Sequence, residues 1–280
     1  MHQTLTLGYS PCPNDTYIFF GLAEGRIRVE PHKYDIFIAD VEALNRKAEQ
    51  KALDATKISI SAFTRLMDDY WMLRAGGAMG RGCGPLVVAR DPLSMKDLRD
   101  SRIAIPGERT TANLLLRLHG EHRGPRVEML FDQIMPAIAR GDVDAGVIIH
   151  EGRFTYPAMG LKEVIDLGAW WENETGLPLP LGGIVMKRSL GAEAAQRIEK
   201  QIRESLAWSR LQPEDAWSYI KSHAQEMEDS VVARHIETFV NHFSEDVGEE
   251  GERAVRTLLE MALRLEGKNL PEAPLFRDDV

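Results

Sequence analysis

Thr4 to Tyr9 alternates, with Leu5, Leu7 and Tyr9 on one side, and this period of two predicts a strand. It runs into Ser10-Pro11-Cys12-Pro13-Asn14-Asp15-Thr16, a stiff turn rich in helix-capping residues. A helix carrying Tyr17, Ile18, Phe20 and Leu22 follows. Ile36 and Ile38 mark a second strand, Val41 to Lys51 a helix, and Ala55 to Ile60 a third strand. The same order then returns. Arg102 to Ile105 reads as a strand, Pro106 to Ala112 as a loop, and Leu114, Leu115 and Leu118 as one face of a helix. Val127, Met129 and Leu130 suggest a strand, Gln133 to Ala139 a helix, and Val143 to Ile149 a strand.

The repeat has a local signature. Leu53-Asp54-Ala55 and Val143-Asp144-Ala145 each leave a helix and open a strand. Strand, loop, helix, strand, helix, strand occurring twice predicts two α/β lobes with mostly parallel sheets and a ligand cleft between them. From Ser189 onward the pattern is helical. Val231, Val232, Ile236, Phe239, Val240 and Phe243 fall on one helical face, and Ala254, Val255, Leu258, Leu259, Ala262 and Leu263 on another. These helices are expected to pack back on the first lobe. The expected division is therefore 1–88 with 187–280 as one lobe and 89–186 as the other. The proline-rich segment Leu177 to Gly183, which leads into a strand from Ile184 to Lys187, is expected to cross between lobes and serve as a hinge.

Composition narrows the function classes. With 280 residues, the chain has room for two lobes of ordinary size. A net charge of −9 argues against nucleic acid and anionic membrane surfaces as partners. The N-terminus, Met1-His2-Gln3-Thr4-Leu5, shows no basic or apolar leader pattern, and no run of apolar residues is long enough to span a bilayer. Cys12 and Cys83 are the only cysteines, too few for a disulfide framework. A reducing, cytoplasmic setting is expected.

In open α/β sheets ligands bind beyond the carboxyl ends of strands, beside helix N-termini. Four segments have that position. Ser10 to Thr16, with Ser10 and Asn14, offers side chains and helix amides to a hydroxyl or an anion, or simply forms a capped turn. Gly107 to Asn113, with Thr110, Thr111 and Ala112, suits a carboxylate but lacks the Gly-Lys-Ser/Thr ending of a phosphate loop. Lys57 and Ser59 share one face of a strand and point either into a cleft or into the core. His150 directly follows the apolar run Val147-Ile148-Ile149, with Glu151 beside it, and an imidazole there suits a general base. The remaining histidines, His2, His32, His119, His122, His223, His235 and His242, read as solvated. Spacings that would hold a metal or a nucleotide cofactor are absent.

Taken together, Ser10-Pro-Cys-Pro-Asn-Asp-Thr16, Lys57-x-Ser59, Gly107-Glu-x-Thr-Thr-Ala112 and His150-Glu-Gly152 resemble the motifs of the 1,4-dihydroxy-6-naphthoate synthases of the futalosine route to menaquinone. The resemblance runs from residue 4 to about 187. It implies a two-lobed fold like a type II periplasmic binding protein and a carbon–carbon lyase without a cofactor. The implied substrate is cyclic dehypoxanthinyl futalosine, and the products are 1,4-dihydroxy-6-naphthoate and dihydroxyacetone. It further implies His150 as the base, with the Thr-Thr-Ala loop and the Lys-x-Ser strand lining the pocket. Carboxylate donors are then expected from the amides of Thr111 and Ala112 and the hydroxyls of Ser59, Thr110 or Thr111. Competing readings are a chorismate dehydratase of the same pathway, a non-enzymatic anion-binding protein, and a regulator's effector domain.

Overall fold

The computed structural model describes residues 3–30, 32–224 and 228–277. The first repeat consists of β1 (Gln3–Tyr9), α1 (Pro13–Ala23), β2 (His32–Ile38), α2 (Val41–Glu49) and β3 (Ala55–Ser59). A short helix α3 (Ile60–Phe63) leads to β4 (Tyr70–Met72), β5 (Ala78–Gly80) and β6 (Leu86–Ala89). The second repeat is β7 (Ile103–Ile105), α4 (Thr111–His119), β8 (Arg126–Glu128), α5 (Phe131–Arg140) and β9 (Ala145–Ile148). Then come α6 (Gly152–Thr155), β10 (Lys162–Asp166), α7 (Leu167–Thr175) and β11 (Leu179–Lys187). The chain closes with α8 (Ala192–Leu211), α9 (Pro213–His223), α10 (Asp229–Phe239), α11 (His242–Glu245) and α12 (Gly248–Arg264). Among the described residues no helix is long and apolar enough to cross a membrane.

The strands form two sheets. One has the order β2-β1-β3-β11-β4, with β5 also paired to β11; the other has the order β10-β6-β9-β7-β8. The internal repeat is visible in the pairing. β1 lies parallel to β2 and β3, and β7 lies parallel to β8 and β9. Its signature aspartates do the same work in both halves. Asp54 accepts the backbone N–H of Thr6 at 3.0 Å, and Asp144 accepts that of Arg102 at 2.7 Å. Each carboxylate thus ties the start of its strand to the neighbouring parallel chain.

The sheets are less parallel than the repeat alone predicts. β11 runs antiparallel to β3, β4 and β5, and β6 runs antiparallel to β9 and β10. The sheets also move the expected limits. β6 opens the second sheet at Leu86, and β11 belongs to the first. The connections between sheets are therefore Gly80 to Leu86 and the stretch through α7 between Asp166 and Leu179. Most of Leu177 to Gly183, expected as a hinge, is strand.

The two connections touch. A Cβ on Gly84 would lie 2.2 Å from the Gly168 Cα, so backbone meets backbone where only glycine fits. Arg153 clasps the same point, donating to Gly84 O at 2.7 Å and to Asp166 Oδ2 at 2.6 Å. Asp166 in turn caps α7 through the amides of Gly168 and Ala169.

The C-terminal helices return to the first sheet. α8, α9 and α10 pack on α1, while α12 packs on α3 and β11 and reaches α4. The apolar face read across Val231 to Phe243 is broken: α10 ends at Phe239, and Asn241 caps α11 through the Phe243 amide. The break leaves the end of α10 beside the cleft.

Candidate active site

Every candidate from the sequence lines one cleft of about 680 Å³: Ser10, Asn14, Lys57, Ser59, Thr110, Thr111, Ala112 and His150. They arrive from the carboxyl ends of β1, β3, β7 and β9, the central parallel strands of the two repeats. The walls between them are apolar, supplied by Val41, Ile149, Leu181 and Phe239.

A buried ion pair organises the first wall. Lys57 Nζ lies 2.6 Å from Asp15 Oδ1, with the two side chains 6% and 2% exposed. Asp15 also accepts from the Ser10 amide and hydroxyl, at 3.1 and 2.7 Å, and from Asn14 Nδ2 at 2.8 Å. In the sequence Asp15 reads only as part of a turn, yet it holds the other three in place. Gly182 belongs to this arrangement, because a Cβ there would press on the Lys57 stem at 2.9 Å.

The hydroxyls sort by where their protons go. Thr110 donates to Gly107 O at 2.7 Å and accepts the Asn113 amide as the N-cap of α4. Thr111 donates to Leu181 O at 2.7 Å and accepts the Ser61 amide. Ser10 donates to Asp15. Ser59 instead accepts from Asn45 Nδ2 at 3.1 Å, so its own proton has no protein acceptor among the described residues. The Thr110 and Thr111 hydroxyls, expected as carboxylate donors, here give their protons to backbone carbonyls. Ser59, Lys57 and the first turn of α4 line the same cleft. Thr111→Val should raise KM, because α4 loses its tie to β11 and its amides shift. It should also cost about 1–3 kcal/mol of stability by orphaning the Leu181 carbonyl. Titration of product into the variant and a urea melt check both; unchanged affinity would detach this helix end from the ligand.

His150 sits at the second wall. Its φ of 56° is left-handed, a conformation that costs a non-glycine residue about 1–2 kcal/mol. The turn carries the chain from β9 into α6 and leaves the ring in the cleft. Although the residue keeps some surface toward the cleft, protein crowds the ring. Burial pushes the imidazole down to about 4; Lys57 adds to this, and the Asp15 and Asp40 carboxylates oppose it. The ring is therefore neutral near pH 7 and able to accept a proton. Glu151 lines a separate cavity beside Phe131 and Met135, and its Oε2 lies 3.6 Å from Nδ1 of the buried His235.

Two of the histidines read as solvated are buried. His235 of α10 is 0% exposed, and His122, at 5%, bonds Ser101 O. His2 and the side chain of His32 lie outside the described residues. His235 Nε2 lies 2.9 Å from Asn14 Oδ1, and its ring stacks on that of His150 at 5.9 Å. Among the described residues no three His, Cys, Asp or Glu side chains gather as a metal site requires.

Charge pairs also join the two sheets. Arg109, from the loop after β7, donates to Glu49 at 2.6 Å and to Glu42 at 3.3 Å on α2. Arg46 of α2 reaches back to Glu128 of β8.

Comparison with known proteins places this architecture. Residues 5–264 match the family model described as menaquinone biosynthesis. A 1,4-dihydroxy-6-naphthoate synthase of Thermus thermophilus is 51% identical, with 91% of this chain and 93% of the relative covered. One from Streptomyces coelicolor is 45% identical, with 93% of each covered. The crystal structure of an Archaeoglobus fulgidus protein superposes with a TM-score of 0.88 at 36% identity, covering 94% of this chain and 98% of that one. An alkanesulfonate-binding protein of Xanthomonas axonopodis pv. citri, solved with MOPS, has a TM-score of 0.70 at 14% identity, covering 98% and 96%, and speaks to fold alone. On these grounds the chain belongs to the menaquinone-biosynthesis family, beside the 1,4-dihydroxy-6-naphthoate synthases, on a periplasmic-binding-protein-like scaffold.

Proposed function

We propose that the cleft binds cyclic dehypoxanthinyl futalosine and cleaves it to 1,4-dihydroxy-6-naphthoate and dihydroxyacetone, with His150 as general base. The observation that carries this reading is a neutral imidazole held in a left-handed turn inside a mostly apolar cleft. Such a cleft suits a flat ring system, and a base poised in it can remove the proton whose loss starts carbon–carbon cleavage. Aromatisation of the ring system supplies driving force, so the protein's part is to bind, orient, exclude water and move one proton. The carboxylate of the substrate is assigned to the N-terminal amides of α4, with Ser59 and Lys57 as side-chain donors.

Incubation with cyclic dehypoxanthinyl futalosine, with chorismate and with buffer, followed by product analysis, tests the reading. Release of dihydroxyacetone and the naphthoate from the first alone is expected. Conversion of chorismate instead would turn the assignment to a dehydratase, and binding without turnover would reduce the chain to an anion-binding protein.

A further inference from the structure

A catalytic imidazole is ordinarily oriented by a hydrogen bond that its second ring nitrogen donates to a carboxylate or a backbone carbonyl. His150 has none: among the described residues nothing hydrogen-bonds its ring. Two rings hold it instead. Phe131 meets it edge-on, with centroids 5.1 Å apart and planes at 71°, and His235 lies nearly parallel, at 5.9 Å and 23°.

His235 is itself fixed. Asn14 Nδ2 donates to the Asp15 carboxylate, which can only accept, so the Asn14 carbonyl oxygen must face His235. The proton of His235 is then on Nε2. Its Nδ1 is bare and faces Glu151 Oε2 at 3.6 Å, too far for a hydrogen bond. Phe239, one helical turn on, packs against the same ring at 4.7 Å. Burial pushes the His235 imidazole well below its ordinary range, and the neighbouring His150 and Lys57 act in the same sense. A neutral ring beside His150 suits catalysis, because an imidazolium formed there meets a π face and not a second cation.

We propose that His235 is a positioning residue, which sets the plane of the His150 ring by stacking on it and takes its own orientation from Asp15 through Asn14. The proposal rests on the reading of His150 as base. Asp15 thus acts twice, anchoring Lys57 directly and His150 through two intermediate side chains. The groups around the stack are Asp15 and Asn14 on α1, Lys57 on β3, Asp40 before α2, Phe131 on α5 and Glu151 before α6.

Two substitutions separate ring from hydrogen bond. His235→Gln keeps an amide donor toward Asn14 but removes the ring; His235→Phe keeps a flat ring and removes the donor. His235→Gln should lower kcat by about 10²-fold with KM nearly unchanged, the size of effect expected from a misaligned base. His235→Phe should recover part of that loss, the remainder measuring the orientation that Asn14 gives the ring. The second readout is independent of turnover: ¹⁵N NMR titration of His150. Its midpoint should rise in His235→Gln, as water reaches the freed ring, and stay near the wild-type value in His235→Phe. Unchanged kcat and unchanged titration in His235→Gln would overturn the proposal. So would equal losses in both variants that track the folded fraction, since the role would then be packing alone. Should His235→Gln fail to fold, the titration of His235→Phe decides: a His150 midpoint far from wild type overturns stacking as the device. If the titration responds as expected while His150→Asn still turns over, the positioning contact stands and the base assignment falls.

Discussion

Replacing His150 by asparagine is expected to leave a folded protein that binds the naphthoate product and turns over at least about 10²-fold more slowly. Asparagine matches the size and keeps a polar end but accepts no proton near neutral pH. The wild-type rate carries the complementary sign. A base works when unprotonated, so kcat/KM should hold through neutral pH and fall only as pH approaches the depressed imidazole value, about 4. An ordinary histidine would place that fall near pH 6.5. The profile must be normalised to folded protein. His150 and His235 both bind protons more readily in the unfolded chain, so the stability they contribute is present above about pH 6.5 and is lost as pH falls through the lower folded values. Near-normal turnover in His150→Asn with loss in Glu151→Gln would hand the proton transfer to the carboxylate.

Removal of the Asp15 carboxylate should give the largest loss of stability, about 3–5 kcal/mol, because it strands a buried ammonium. Lys57 is almost fully buried, and Asp15 is the anion bonded to it. Asp15→Ala also leaves the Ser10 and Asn14 donors without their acceptor. Pairing the change with Lys57→Met removes the stranded charge, so the double variant should recover part of the loss in a urea melt. Equal stability of single and double variants would show that packing, and not charge, sets the cost. Neither variant should retain full activity, since Lys57 and Asn14 line the cleft.

The parallel units and the cleft loops were legible because their signals are local. Alternation from Thr4 to Tyr9, the paired Asp-Ala turns and the capping residues after β1 and β7 each lie within a few positions. What escaped was set by distance or brevity. β4, β5 and β6 have three or four residues and are buried almost throughout, so no alternation marks them. β11 reads as a strand, but its sheet is decided by contacts with β3 and β4, far away in sequence. His235 meets Asn14 across 221 positions, and on a helix with polar neighbours it looks like a solvated residue. The Asp15–Lys57 pair is similarly long-range: an Asn-Asp step in a turn reads as a cap, and only the fold shows which cation it meets.

The bare contact between Gly84 and Gly168 has a mechanical consequence. Two chains pressed backbone to backbone, and pinned by Arg153, leave little room to slide but can still turn. The contact is therefore suited to act as a fulcrum should one sheet turn against the other. Because Gly84 itself lines the cleft, a rotation of one sheet against the other about this contact would displace the neighbouring cleft wall least. Such a rotation would have to part the Arg109 and Arg46 ion pairs, which join the same two sheets.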